Sequence, residues 1–197
     1  MAALSGGYTK ICMLPNTEPV LDSLESIESL NLKIQSLDID IYPIGAITKN
    51  IEGQELSEIG LMVKEGVVAI SDGHKNLQNA QVLKNALEYS KMFDIPLINH
   101  AENVSIVNSG IAHESQFSTE KGLPGNPWIS ETIAIFRDLE IASYVKGRIH
   151  IPHISSKKSI DIIKKYKEMG VSVTAEVTPH HLGLSELELH DFNALYK

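Results

Sequence analysis

Two histidines follow short apolar runs, and polar residues come after each of them. His100 follows the run at 95–98 with Asn99 between, and His153 ends the run at 148–153. Ligands of α/β proteins bind at the carboxyl ends of parallel strands, where two imidazoles can reach one metal ion. Zinc binds neutral imidazole, and water on a catalytic zinc ionises near neutral pH to become a nucleophile. The pair predicts a hydrolytic metal site; the alternative is two hydrogen-bonded or helix-capping histidines near the surface.

Two further strand ends carry polar residues that suit such a site. Asp72 follows the apolar run at 67–70 and could give a carboxylate to a metal, although Asp in Ser-Asp-Gly is also a common turn residue. Asn16 lies between a strand and a proline-rich turn, where its amide could bind substrate carbonyl or carboxylate oxygens, or form an Asx-turn. Asp72 is thus a candidate metal ligand and Asn16 a candidate substrate-binding residue.

The other histidines are weaker candidates. His180 and His181 are adjacent, so on an extended segment they point in opposite directions and at most one faces the site. His150 precedes His153 by three positions on the same strand, which predicts that it faces the other side and is packed. No convincing partner can be identified for three more: His74, His113 and His190.

The elements that must position these residues alternate between strand-like and helix-like segments. Six short apolar runs predict strands at 10–14, 39–47, 67–70, 95–98, 148–153 and 171–177. Apolar residues at helical spacing predict helices at 20–37, 53–65, 79–93, 127–144 and 155–169. A long polar segment before residue 126 is predicted to be a functional loop or to contain short helices of its own.

This alternation of strands and helices indicates βαβ units and a parallel sheet. Both an open doubly wound sheet and a (β/α)8 barrel fit the pattern. The sequence contains no G-x-G-x-x-G or P-loop motif, whereas polar residues follow almost every strand, as they do in barrels. We therefore predict an α/β fold, a TIM-type barrel with about six of its eight βα units in residues 1–197, as one incomplete domain.

The composition argues against several classes of partner. The chain has 197 residues, 43% of them hydrophobic, which is enough for one core. A net charge of −8 argues against nucleic acid or an anionic membrane as the main partner. No apolar run approaches the roughly 20 residues of a membrane span, and the first residues do not resemble a signal peptide. With a single cysteine, Cys12, we expect a reduced, cytoplasmic protein.

Seven short motifs occur in order along the chain: Met-Leu-Pro-Asn-Thr-Glu-Pro at 13–19, Ile-Gly-Ala-Ile-Thr at 44–48, Ser-Asp-Gly at 71–73, Asn-His-Ala-Glu at 99–102, Gly-Leu-Pro-Gly at 122–125, His-Ile-Pro-His-Ile-Ser at 150–155 and Thr-Ala-Glu-Val-Thr-Pro-His-His at 174–181. Together they resemble the dihydroorotases of the amidohydrolase superfamily, of the bacterial type related to the dihydroorotase domain of the animal multifunctional pyrimidine protein. The resemblance covers nearly the whole chain, and its first and last motifs are fairly specific against hydantoinases and allantoinases.

The resemblance implies a metal-dependent hydrolase barrel with one or two zinc ions that interconverts dihydroorotate and N-carbamoyl-L-aspartate in pyrimidine biosynthesis. His100 and His153 match the zinc ligands of the family's fifth and sixth strands, and Asn16 matches the asparagine that holds the substrate carboxylate. On this count the six predicted strands are barrel strands two to seven.

The chain departs from the family pattern in three places. The first-strand His-x-His ligand pair would precede Met1, and the eighth-strand Asp, both ligand and general base, would follow Lys197. We therefore expect this piece alone to be inactive and to expose two sheet edges. The metal-bridging Asp of the fourth strand falls on Gly73, and Asp72 could replace it only after a shift in register.

Two other functions stay open at this point. One is a non-catalytic dihydroorotase-like subunit that supports aspartate carbamoyltransferase, although such relatives typically lose the two histidines that this chain keeps. The other is a hydantoinase or an allantoinase. The partners we expect are a small-molecule substrate and either a second copy in a homodimer or aspartate carbamoyltransferase, with no nucleic acid and no membrane.

Overall fold

The computed structural model describes residues 2–107 and 109–193. Its strands are β1 (Lys10–Met13), β2 (Asp40–Gly45), β3 (Ala69–Ser71), β4 (Leu97–Ile98), β5 (Ala112–His113), β6 (Gly125–Asn126), β7 (Ile149–Ile151) and β8 (Val173–Ala175). Its helices are α1 (Ala2–Ser5), α2 (Leu24–Ile34), α3 (Ile59–Lys64), α4 (Ala80–Lys91), α5 (Val104–Val107), α6 (Gln116–Glu120), α7 (Ile129–Val145), α8 (Lys157–Glu168) and α9 (Pro179–Gly183). Short 3-10 helices cover Lys49–Ile51 and Glu186–Asp191.

The main sheet winds in one direction. Its six strands are ordered β1-β2-β3-β4-β7-β8, and every neighbouring pair is parallel. A doubly wound sheet reverses its strand order at a switch point, whereas strands that follow one another in order, each with its helix, curl into a (β/α)8 barrel. The predicted TIM-type fold with six units is confirmed, and the structure is a curled part of such a barrel.

The core lies between one face of the sheet and the helices. Leu97, Ile149 and Val173 are paired across β4, β7 and β8, and all three are buried. They belong to one apolar cluster with Leu87 of α4 and Leu139 of α7. Burial of each such side chain stabilises the fold by about 1.5–3 kcal/mol, and a one-residue slip of a strand would expose it. This layer therefore fixes the register of the strands whose ends carry the candidate ligands.

The other face of the sheet is polar and open. Ile98, His150 and Thr174 share one register level, and alternation along the strands turns them away from the apolar layer. Nδ1 of His150 lies 2.8 Å from Oγ1 of Thr174, and its Nε2 lies 3.5 Å from a carboxylate oxygen of Glu176. The side chain of His150 is 21% exposed, so it is largely packed as expected, but its neighbours on this face are polar.

Local sequence signals set the ends of the helices. Asn79 and Ser156 are the N-caps of α4 and α8, and their side chains accept hydrogen bonds from the N–H groups of Gln81 and Lys158 at 3.0 and 3.2 Å. Gly170 adopts φ +87° just past α8, the conformation that ends many helices. No helix in residues 2–107 or 109–193 is long and apolar enough to cross a membrane.

The helix predicted at 53–65 is mostly a loop, and only α3 within it is helical. Gly53 has φ +73°, and Thr48 forms an antiparallel bridge with Leu56. Leu56 packs on the core from this loop. Its apolar side chain therefore fitted the helical spacing of the sequence although the backbone there is not helical. The long polar segment before residue 126 contains α5, α6 and the β5–β6 pair, as expected for a loop of that length.

The two end strands of the sheet, β1 and β8, each have one neighbour among the strands that the structure describes. Unpaired edges promote association through backbone hydrogen bonds, so we expect the purified chain to self-associate reversibly as its concentration rises. Ala175 is exposed on β8, and a lysine there should weaken association because a charge on an edge strand opposes pairing.

Sedimentation velocity over a concentration series measures this association. The matched control is Asn85→Lys, which adds the same charge on the exposed face of α4, away from both edges. A monomeric wild-type chain at all concentrations, or equal association in Ala175→Lys and wild type, would show that the sheet edges do not pair.

Candidate functional site

The ends of β4 and β7 bring His100 and His153 together. The two strands are neighbours, with Leu97 paired to Ile149, and both segments leave the sheet at the same edge. The centres of the two imidazole rings are 4.8 Å apart, and the ring planes are inclined by 57°. The structure thus brings together the two histidines that the sequence singled out.

The ring of His100 has one nitrogen near a carboxylate and one without a partner. Its Nε2 lies 3.6 Å from Oε2 of Glu102. Its Nδ1 is buried and makes no hydrogen bond within the described chain, an arrangement that is costly unless a ligand satisfies the atom. Burial lowers the pKa of His100 and the nearby His153 lowers it further, while Glu102 opposes the shift. These effects favour the neutral ring, which is the form that binds metals.

His153 adopts a backbone conformation that is unusual for a residue with a side chain. Its φ is +39°, in the left-handed region that glycine favours. Such conformations persist where the surrounding structure enforces them, and they cluster at functional sites. One restraint is the 3.0 Å hydrogen bond from the N–H of Ile154 to the carbonyl of Glu176, just past β8. The strand predicted to reach His153 ends at Ile151, so this histidine lies on a loop that is restrained by hydrogen bonds.

A buried hydrogen-bond network lies next to His100 in the chain. Asn99 donates from Nδ2 to Oδ2 of Asp138 at 2.7 Å, and its Oδ1 accepts from the N–H of Leu77 at 3.1 Å. Arg137 donates to the other oxygen of Asp138 from Nε at 2.8 Å and from Nη2 at 2.7 Å. Burial raises the pKa of Asp138, and Arg137 and Asn99 oppose that rise. The network joins the end of β4 to α7 and to the segment between β3 and α4.

Asp72 is engaged elsewhere. Its Oδ1 accepts from the N–H groups of Ile47 and Thr48 at 2.9 and 3.0 Å, and its Oδ2 accepts from Oγ1 of Thr48 at 2.6 Å. The residue is buried, and burial raises the pKa of its carboxyl while the bonds from Thr48 and Ile47 oppose the rise. Asp72 therefore joins β2 to β3, and the structure does not bring it to the histidine pair. Within the ranges 2–107 and 109–193, no three His, Cys, Asp or Glu side chains gather as a metal site.

A cleft of about 1070 Å³ opens beside the two histidines. Its walls include Glu102, His113 and Trp128, to which the sequence analysis assigned no role. Nζ of Lys158 lies 5.3 Å from the centre of a Trp128 ring, a cation–π contact at the rim. Glu102 belongs to the Asn-His-Ala-Glu motif and could have been found there, but the spacing of His113 and Trp128 carries no such signal.

Three further histidines lie closer to the site than predicted. His180 and His181 both border the cleft, so the expectation that at most one faces it is wrong. They lie in α9, not on an extended segment, and successive helical side chains are about 100° apart rather than opposed. His74 is near enough for its charge to lower the pKa of His100, although its place in the sequence indicated no partner.

Asn16 lies at the end of β1 and is exposed. A Cβ placed on Gly73 would be 3.5 Å from its side chain, so Asn16 lies beside the segment that follows β3. Gly73 itself has φ +66°, a conformation that disfavours any side chain at that position. Asn16 is not among the residues that line the cleft beside the histidines.

Solved structures with a similar fold include hydantoinases. The L-hydantoinase (dihydropyrimidinase) from Arthrobacter aurescens has a TM-score of 0.82 and 21% identity, over 100% of this chain and 45% of its own. A D-hydantoinase (dihydropyrimidinase) from Thermus sp. has a TM-score of 0.71 and 20% identity, over 96% of this chain and 43% of its own. These likenesses define the class of this protein by its fold, which is the α/β barrel of these structures.

Sequence comparison is more specific. A family model described as "Dihydro-orotase-like" matches residues 1–159. A dihydroorotase of Acetivibrio thermocellus is 42% identical over 198 residues, and one of Caldicellulosiruptor saccharolyticus is 42% identical over 193. The chain belongs to the dihydroorotase-like family. These alignments cover 100% and 98% of this chain but 46% and 45% of the relatives, so the chain spans less than half of their length.

The buried network beside His100 yields a stability prediction. Asp138→Ala removes the shared acceptor of Arg137 and Asn99 in the core. We expect it to lower the free energy of unfolding by about 1–3 kcal/mol, because the buried amide of Asn99 and the guanidinium of Arg137 both lose their acceptor. Urea denaturation followed by circular dichroism measures the loss. Asp161→Ala, exposed on α8, is the control and should change stability by less than about 0.5 kcal/mol; equal losses would refute this role of Asp138.

Proposed function

We propose that this chain is part of a dihydroorotase, a cytoplasmic enzyme of pyrimidine biosynthesis that interconverts dihydroorotate and N-carbamoyl-L-aspartate. The single observation that carries the proposal is the meeting of His100 and His153 in a chain of the dihydroorotase-like family. The reaction opens or closes a cyclic amide. At neutral pH this needs an activated nucleophile and stabilisation of the charge that develops on the carbonyl oxygen.

Zinc, as one or two ions, is the cofactor that these residues fit. Neutral imidazole is a preferred zinc ligand, and the buried Nδ1 of His100 has no partner in the described chain. His153 would hold the same ion, since the two ring centres are 4.8 Å apart. A bound zinc ion would supply a Lewis acid that polarises the substrate carbonyl and ionises a water molecule. A catalytic zinc commonly has three protein ligands, so the pair needs a further ligand. Asp72 would have to give up three hydrogen bonds to serve.

The cleft beside the histidines suits a small acidic substrate. Its volume is close to the upper end of the range of about 300–1,000 Å³ that is usual for small-molecule sites. Lys157 and Lys158 are part of its wall and would attract a carboxylate. We assign the binding of the substrate carboxylate to Asn16. Because Asn16 lies outside this wall, the assignment requires that the substrate extend along the strand ends toward β1.

A second function is favoured by the segment that follows β3. The resemblance places a metal-bridging Asp at Gly73, whose φ of +66° disfavours a side chain, and the neighbouring Asp72 is occupied by hydrogen bonds. The absence of a carboxylate at residue 73 fits a non-catalytic dihydroorotase-like subunit that supports aspartate carbamoyltransferase. The meeting of the His100 and His153 rings favours the enzyme, because a scaffold has no use for such a pair.

The proposed metal site can be tested on this chain directly. We expect Zn²⁺ to bind through both histidines, and His100→Ala and His153→Ala each to weaken binding by at least about 100-fold, because even an outer-shell partner contributes 10–100-fold. Competition with a chromophoric chelator measures the affinity. His190→Ala, outside the cleft wall, is the control. Unchanged affinity in both ligand variants would disprove the site.

The proposed reaction is tested on the complete protein that contains this chain. With zinc bound, it should hydrolyse the cyclic amide of dihydroorotate. Removal of the metal by a chelator should abolish turnover until zinc is added back. Hydantoin and allantoin are offered in parallel, and preferential turnover of either would replace the substrate assignment. A zinc-loaded protein that turns over none of the three, but co-purifies with aspartate carbamoyltransferase, would establish the second function instead.

A further inference from the structure

The carboxylate of Glu131, in the first turn of α7, binds the segment that directly follows His153. Its Oε2 accepts from the N–H of Ser155 at 2.9 Å and from Oγ of the same residue at 2.6 Å. Its Oε1 accepts from the N–H of Ser156 at 3.1 Å and from the hydroxyl of Ser159. Four donors from one short stretch of chain thus converge on one side chain.

These bonds hold a stretch of backbone that would not keep its shape alone. His153 has a left-handed φ of +39°, which costs free energy for any residue with a Cβ. On one side of the loop the N–H of Ile154 is tied to the carbonyl of Glu176 at 3.0 Å. On the other side Glu131 fixes the next two N–H groups. The loop is therefore anchored to both of its neighbours, the end of β8 and the start of α7.

The position of Glu131 also explains why a carboxylate is needed. The N–H groups of Ser155 and Ser156 lie just before the first turn of α8, where helical N–H groups lack intrahelical partners and negative charge is favourable. Each oxygen of Glu131 accepts one backbone and one hydroxyl hydrogen bond. A glutamine would turn an NH₂ group toward one backbone N–H, which cannot rotate away, so an isosteric amide cannot replace the acid.

We propose that Glu131 is a positioning residue that holds the imidazole of His153 against His100. The inference rests on the proposed function only in taking the pair as metal ligands. Glu131 touches neither ring in this role: it acts through the backbone of residues 155 and 156. With four donors already bound, its carboxylate is not available as a base. The property that it sets is the distance and angle between the two rings.

The same helix offers a matched control. Glu140 also lies on α7 and also accepts a hydrogen bond from α8, from the hydroxyl of Tyr166. Its loss weakens contact between the two helices without touching the loop after His153. A merely structural role for Glu131 predicts that Glu131 and Glu140 variants behave alike at the histidines, whereas positioning predicts that only the Glu131 variants change them.

The first test uses the metal-free chain and histidine side-chain NMR. In wild type, a ring-to-ring NOE between His100 and His153 is expected from their 4.8 Å separation. Glu131→Gln and Glu131→Ala should lose this NOE, and Glu140→Ala, which removes the acceptor of Tyr166, should keep it. Retention of the NOE in the Glu131 variants would overturn the proposal, as would its loss in Glu140→Ala as well.

The second test uses Co²⁺ as a spectroscopic probe of the same chain. Glu131→Gln should weaken cobalt binding by about 10–100-fold, as loss of outer-shell support does, and should change the intensity of the visible d–d bands. Glu140→Gln should leave both unchanged. If wild type binds no cobalt, the proposed function fails, while the NOE comparison still decides the role of Glu131. If Glu131→Ala does not fold, Ser159→Ala is used instead, because it removes one of the four donors to Glu131. Its cobalt spectrum should shift in the same direction as that of Glu131→Gln, but by less. An unchanged spectrum in both variants would overturn the inference.

Discussion

The contact on which the site depends is the approach of two imidazoles at the ends of two neighbouring parallel strands. A ring nitrogen that is buried without a partner, as Nδ1 of His100 is within the described chain, destabilises the fold unless something binds it. The sheet and its apolar layer set this contact, because the pairing of Leu97 with Ile149 fixes how far each strand end reaches. The free energy that this layer provides is what allows the protein to keep an unsatisfied polar atom at its edge.

Helix α7 connects the supports of the two rings. Asp138 binds Asn99, the residue before His100, and Glu131 binds the two residues that follow Ile154. The two acids are seven residues apart, two turns or roughly 10 Å along the helix axis, and so lie on the same side of it. One rigid helix thus fixes both loops relative to each other. A site built on neighbouring strand ends gains precision in this way, because loops alone hold side chains less tightly.

The sequence predicted the parts of the structure that depend on local pattern. The apolar runs located all six strands of the main sheet, and their polar ends located His100 and His153. Spacing failed where apolar residues pack from loops, as Leu56 does, and where a short helix such as α9 turns neighbouring side chains to one side. These outcomes depend on tertiary contacts, which cannot be read from a short stretch of sequence.

The same limit explains which polar roles were missed. Asp72 looked like a ligand because it follows a strand, yet its bonds to Ile47 and Thr48 could be known only once β2 and β3 were paired. Nothing in the sequence marks Glu131 or Asp138, which are partly and fully buried in the structure. Their importance comes from donors that are distant in sequence, so periodicity cannot indicate it.

The proposed site requires that His100 and His153 bind one metal ion. X-ray absorption at the zinc edge, on the chain loaded with one equivalent, measures this coordination. We expect two imidazole nitrogens at about 2.0–2.1 Å from the zinc in wild type and one in His153→Ala. A zinc shell without imidazole scattering, or one that is the same in both proteins, would contradict it.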